Sequence, residues 1–252
     1  MSGCSKTRCS LFEQLLKVNM EPWEATMKET AEVLRARILD GAITLFSEKG
    51  IERVTTRELT EQLGISRSHI YHYFRDWETL CKEAMTLFMQ RDRVEFADEI
   101  GALEARSQLS AFVQNYLPAA PDASWSLYSS LWQLAIRDEE WAQLAEAMMA
   151  QWQALLADII DRGITAGHFR HRDAQRVTRQ LWAMLNGYAD QLIISPSPAA
   201  QQAATADINA FITVILVAPP DPSAKGLSRT AVDVFCAAPG SLYPGECCPS
   251  GL

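Results

Sequence analysis

TTRELTEQLGISRSHIYHYF, residues 55–74, decides how this chain reads. Thr55 is placed to cap a helix, and Glu58, three residues on, can bond back to the cap's own amide. Leu59 and Leu63 fall one turn apart on one face, and Gly64 supplies the left-handed conformation that ends a helix. Ile65 plugs the turn. Ser66 opens and caps a second helix on which Ile70 and Phe74 face inward, leaving Arg67, Ser68, His69, Tyr71, His72 and Tyr73 on the outer and flanking faces.

Six hydrogen-bonding or stacking side chains in eight positions exceed what solubility requires. A helix of this size matches a major groove about 12 Å wide, where arginine donates two bonds to guanine and Ser, His and Tyr reach phosphates or base edges. A capped helix pair also describes an ordinary hairpin with a polar outside, and the flanking sequence separates the two. Upstream, Leu34, Ile38, Ala42, Leu45 and Phe46 form a helical stripe ending at Lys49-Gly50, a first helix able to cover the other two. Downstream, Asp76 can cap a fourth helix carrying Leu80, Ala84, Leu87 and Phe88.

Residues 35–80, RARILDGAITLFSEKGIERVTTRELTEQLGISRSHIYHYFRDWETL, resemble the N-terminal domain of the tetracycline-repressor (TetR) family. The resemblance implies a helix-turn-helix transcriptional regulator, most simply a repressor that binds a double-stranded DNA operator; the alternatives are a ligand-responsive activator, or a helical small-molecule-binding protein or enzyme without specific DNA binding. Carried over by position, it places Thr56 and Arg57 at the start of the second helix, the hydroxyl on phosphate and the arginine within reach of a base. Ser66 opens the recognition helix among the DNA-binding residues, Arg67, Ser68 and His69 match its variable positions, which set sequence preference, and Tyr71, His72 and Tyr73 form a cluster on the DNA backbone. Each has a plainer account as a cap, a solvated side chain or, for the tyrosines, packing against the first helix. One departure matters: Trp77 stands where the family commonly has a phosphate-binding lysine, so that charge falls to Arg75 or Lys82.

With 23 Lys and Arg against 31 Asp and Glu, the chain carries a formal charge of −8. Residues 53–75 nevertheless hold four arginines against two glutamates, an excess that orients the molecule on an anionic duplex and predicts a salt-dependent complex. At 252 residues and 48% hydrophobic, the chain can fill one or two cores. The expected organisation is an N-terminal extension over 1–27, a DNA-binding domain over 28–80, a helical effector-binding and dimerisation domain over 81–218, and a disordered tail over 219–252 opened by Pro219, Pro220 and Pro222. Cys4, Cys9, Cys81, Cys236, Cys247 and Cys248 lack metal-site spacing and sit mostly in the termini. The apolar run Phe211–Ala218 is too short to span a membrane, and no signal-peptide pattern opens the chain. The expected setting is cytoplasmic, without membrane association.

Periodic apolar runs predict further helices near 104–117, 123–136, 138–166, 172–194 and 200–217, with Gly163, Gly167 and HFRHRD breaking the middle and SPSP at 195–198 isolating the last. The fold is therefore all-α, with about nine helices. Trp125, Tyr128, Trp132, Trp152, Trp182 and Tyr188 are candidates to line a pocket for an apolar or cationic effector, and they equally suit a core or an interface, as does Trp141. Trp125 to Trp132, AGHFR and LWAMLNGYAD look similar to the family branch that includes choline-responsive repressors. In that reading Asp190 or Glu146 adds negative charge, and the fourth helix acts as a lever at Met85, Phe88 and Met89.

The resemblance also implies a homodimer through the last two helices, with Leu181, Leu185, Tyr188, Leu192, Phe211, Ile212 and Ile215 supplying the surface. Two heads about 34–36 Å apart then read a pseudo-palindrome. The histidines fall in two HxxH pairs, His69 with His72 and His168 with His171, neither with a clear third ligand. No phosphate-cradling glycine loop or nucleophile elbow is present. The sequence gives no grounds for a metal, a cofactor or catalytic residues.

Overall fold

The computed structural model describes residues 30–217. The proposed 1–27 extension and 219–252 tail, with the five cysteines they contain, lie outside the described residues. Among the described residues the chain forms nine α-helices, one 3-10 turn and no strand: α1 Ala31–Lys49, the turn Ile51–Arg53, α2 Thr56–Leu63, α3 Arg67–Tyr73, α4 Trp77–Ile100, α5 Ala105–Tyr116, α6 Ala123–Ala135, α7 Glu139–Thr165, α8 Ala174–Ile194 and α9 Pro198–Leu216. No helix among them is long and apolar enough to cross a membrane.

Local chemistry sets most of these boundaries. The Thr55 hydroxyl accepts from the Glu58 amide at 3.3 Å while the Glu58 carboxylate accepts from the Thr55 amide at 2.9 Å, so two otherwise orphaned donors are satisfied reciprocally at the start of α2. Gly64 ends α2 at φ 64°, in the left-handed region. Aspartates at 76, 122, 138 and 173 each accept the amide three residues on, opening α4, α6, α7 and α8. The predicted start of the last helix moves from 200 to Pro198: Ser197 caps it, and proline at the first helical position loses no intrahelical bond. Gly163, read as a break, instead lies buried within α7, where a Cβ would meet the Phe169 ring at 2.2 Å; the helix ends beyond it, near Gly167 at φ 73°.

Ile38, Ala42 and Phe46 of α1 are fully buried, as are Leu59 of α2 and Ile70 of α3. Helix α4 closes this head with Leu80 and Ala84 and packs along α1. The expected domain boundary at 80/81 falls inside α4, which continues unbroken into the remaining helices. There α7 packs against α4, α5, α6 and α8, and α9 packs on α8. Helix α6 also reaches back to α1 and the 51–53 turn.

The apolar residues expected to form a dimer surface divide in two. Leu181, Leu185, Leu192 and Ile212 are interior to the single chain, because α8 and α9 turn those faces onto α7, α5 and each other. Tyr188, Phe211 and Ile215 are half-buried, and Ile194 and Val214 are exposed at 85% and 67%.

Candidate functional site

The outer face of α3 is assembled by burying very little of it. Ile70 is the one buried residue of the helix, and Phe74 at its end packs inward. Ser66, Arg67, Ser68, His69, Tyr71 and His72 are exposed beside exposed Arg57, so seven of the nine sequence-predicted reading residues share one accessible surface. Two do not. Thr56 is buried at the start of α2, and Tyr73 is half-buried against the core, its ring edge-on to His72 with centroids 5.0 Å apart.

Hydrogen bonds pre-position this surface. The Ser66 side chain, expected to cap α3, turns outward instead: its hydroxyl pairs with Ser68 Oγ and His69 Nδ1, each at 2.7 Å. The Arg67 guanidinium lies over the Tyr71 ring, 5.7 Å from its centroid. Arg67 first, and then Thr56, hold the neighbouring Tyr71 phenol below its usual titration range.

Arg57 Nε donates to Glu61 at 2.7 Å, and Arg75 Nε donates to Asp76 at 2.8 Å. Both arginines stay more than 80% exposed, so phosphate can compete for them. Lys82, the other candidate for the missing phosphate charge, is committed elsewhere: its side chain is only 18% exposed, paired with Glu78 at 2.7 Å and with Glu140, and set over the Trp141 ring. Arg75 is left as the cation beside Trp77.

A second site lies among α5, α6, α7 and α8. A narrow cavity, partly open to solvent, is lined by Asn115, Tyr116, Trp125, Tyr128, Trp132, Met148, Met149, Trp152 and Trp182. Five of the six sequence-predicted lining residues meet here. The spacing of α6 puts Trp125, Tyr128 and Trp132 on one face; Tyr128 stacks on Trp132 with centroids 6.4 Å apart and planes 23° apart. Tyr188, the sixth, points away, its hydroxyl donating to Asp207 at 2.7 Å.

Sequence reasoning missed Asn115, Tyr116, Met148 and Met149. Tyr116 stands edge-on to Trp125 and Trp182 at 5.1 and 5.2 Å. Asp190 and Glu146, expected to supply negative charge, are exposed and do not line the cavity. The acid that approaches it is Asp92 of α4, 8% exposed, which accepts the Tyr128 hydroxyl at 2.7 Å. Phe88, four residues earlier, lies 5.6 Å from the Tyr128 ring. Met85 and Met89 are buried on the same helix and stay outside the lining. Among the described residues no three His, Cys, Asp or Glu side chains gather where a metal could bind.

Two family models match consecutive parts of the chain. Residues 38–91 match bacterial regulatory proteins of the tetR family, and residues 105–217 match the C-terminal part of BetI-type transcriptional repressors. The transcriptional repressor KstR2 of Rhodococcus jostii is 27% identical over 140 residues, which is 54% of this chain and 68% of that protein. A helix-turn-helix repressor of Mycobacterium tuberculosis is 33% identical over 91 residues, 36% of this chain and 44% of its own length. Among solved structures, a Saccharomonospora viridis protein in complex with choline superposes with a TM-score of 0.65 at 23% identity, over 75% of this chain and all of the other, and so shares the fold.

Proposed function

Because the chain belongs to the tetR family of bacterial regulatory proteins and is a DNA-binding transcriptional regulator, we propose that it is a cytoplasmic repressor that holds a pseudo-palindromic operator as a homodimer and releases it when a small organic cation enters the aromatic cavity. The regulators it resembles share this fold, and the enzymatic alternative is set aside with membership. Arg57, Arg67, Ser68 and His69 read base edges, Tyr71, His72 and Arg75 meet the backbone, and Thr56, Ser66 and Tyr73 position them. The dimer forms over the apolar surface that α8 and α9 leave uncovered, at Tyr188, Ile194, Phe211, Val214 and Ile215, which brings two heads to successive major grooves.

The observation that carries the release half is that α6 has two allegiances: one face supplies Trp125, Tyr128 and Trp132 to the cavity, and the helix also packs on α1 and the 51–53 turn beneath the reading head. A ligand that favours a different seating of α6 therefore alters the head. Indole and phenol faces attract a quaternary ammonium, and the choline-bound fold relative supports that chemistry. Met148 and Met149 favour a second reading, an uncharged hydrophobic effector, since thioethers adapt to irregular apolar shapes.

Selection of bound sequences from randomised duplex DNA tests the first half. We expect a two-fold-related motif with half-sites one helical turn apart, and recovery of unenriched sequence at moderate salt would refute it. Anisotropy of the recovered operator with and without choline tests the second, the expected result being a weaker complex in its presence.

A further inference from the structure

Asp92 lies on the buried face of α4 midway between Phe88 and Phe96, four residues from each, with both rings packed against the cavity's aromatic wall. A carboxylate kept from water is costly, and an apolar residue there would pack without that cost. The hydroxyl of a cavity-lining ring, Tyr128, is among its partners. We propose that Asp92 is the charge selector of the effector cavity, acting from behind Tyr128 so that the cavity favours cations over uncharged molecules of the same shape. The proposal rests on the aromatic cavity being the effector site.

Two effects converge. The charge acts directly, since no lining residue is formally charged and the surroundings screen poorly. In addition, a phenol that donates to a carboxylate is polarised toward phenolate, which makes its ring face more negative and strengthens its attraction for a cation. The second effect spreads along the wall, because Tyr128 stacks on Trp132 and tilts against Trp125 at 5.8 Å. An uncharged ligand feels the same walls and neither effect.

The test compares choline with 3,3-dimethylbutan-1-ol, its uncharged counterpart, by tryptophan fluorescence titration of the full chain. Wild-type protein is expected to bind choline at least tenfold more tightly. Asp92→Asn keeps the size and can still accept the Tyr128 hydroxyl but removes the charge. It should weaken choline at least tenfold and leave the alcohol within about twofold. Tyr128→Phe, which keeps the ring and cuts the connection to Asp92, should fall between.

A merely structural aspartate would change both ligands together. An unchanged choline-to-alcohol ratio in Asp92→Asn overturns the proposal and leaves the cavity reading standing. Equal binding of the two probes by wild type overturns it without any variant. Failure of wild type to bind either probe, with operator binding intact, removes the effector reading and the selector with it.

Discussion

Replacing Ile70 by alanine asks whether the reading helix is held by one side chain. Helix α3 has seven residues, too few to be stable alone, and Ile70 is its one buried residue, with no exposed surface. Removing it costs about 3 kcal/mol, in the middle of the span for a buried aliphatic residue cut to alanine, whereas Ile70→Val costs about 1 kcal/mol. Because the neighbouring elements keep their own buried residues, Leu59 in α2 and Leu80, Ala84 and Met85 in α4, the loss should fall on the 65–74 segment. Amide exchange there is then expected to accelerate roughly 150-fold in Ile70→Ala and about fivefold in Ile70→Val, following tenfold per 1.4 kcal/mol. Operator affinity should fall in the same order, since the cost of ordering α3 is moved to the binding step, while choline binding stays put. Hydrogen exchange by mass spectrometry and operator anisotropy measure the two. Exchange and affinity within twofold of wild type in Ile70→Ala would refute the reasoning, as would acceleration spread evenly over α5 to α9.

Three further outcomes follow from the structure. Glu58 is held below the usual carboxylate range by Lys49 and by the Thr55 amide and hydroxyl, and Asp76 likewise by the Thr79 amide and hydroxyl and by Arg75; their stabilisation is present above the unfolded values of about 4 and lost as pH falls through and below them, so denaturation midpoints should drop between pH 5 and 3 with a shallower drop in Glu58→Gln, and equal slopes would count against the capping box. Gly163→Ala places a methyl 2.2 Å from the Phe169 ring and 3.1 Å from Ala105 Cβ; overpacking of about 1–3 kcal/mol outweighs a helix-propensity gain near 1, and calorimetry should show a lower Tm, a higher one being contrary. Burial, reinforced by Glu78, pushes the Cys81 thiol up to about 12, so a brief thiol-reagent pulse at neutral pH followed by peptide mapping should leave Cys81 unlabelled until denaturant is added.

What was legible in the sequence was what neighbours along the chain decide. Thr55 with Glu58, Gly64 and Asp76 act within three or four residues, so the helix boundaries they dictate stand where the pattern put them. The face shared by Trp125, Tyr128 and Trp132 is likewise a matter of helical period. Most of the misreadings depend on what lies across the fold. Gly163 looks like a helix break in sequence and is a seat for Phe169 in space. Lys82 looks free for phosphate until α7 brings Glu140 and Trp141 to it. Leu181, Leu185 and Leu192 have the same periodicity whether they face a partner or the chain's own interior, and packing against α7 and α5 decides for the interior. Asp92 was hidden inside QRDRVE, a run that reads as a solvated face. Only its spacing of four from Phe88 and from Phe96 betrays that it lies on the apolar side.

The coupling demanded of this fold is small beside the packing that transmits it. A ligand shifts DNA affinity only by the difference in its binding to two arrangements, and 1–3 kcal/mol between sites corresponds to about 5–150-fold. Leu127 and Leu131 of α6 are both fully buried, and deleting either side chain would cost about 2–5 kcal/mol. Reseating α6 so that one of them loses part of its contacts therefore spends the whole coupling. The helix has the connections to do it: Arg137 at its end pairs with Glu52 of the 3-10 turn at 3.6 Å, and Ser130 Oγ lies 3.5 Å from where a side chain on Gly50 would begin, at the hinge between α1 and that turn. Helix α4 gives a second route, with Phe88 and Asp92 against Tyr128 and Leu80 and Ala84 in the head. Since Tyr128 touches both routes, a ligand bound on its face would perturb α6 and α4 together, and one that fills the cavity around Trp182 without engaging Tyr128 should bind and release little DNA.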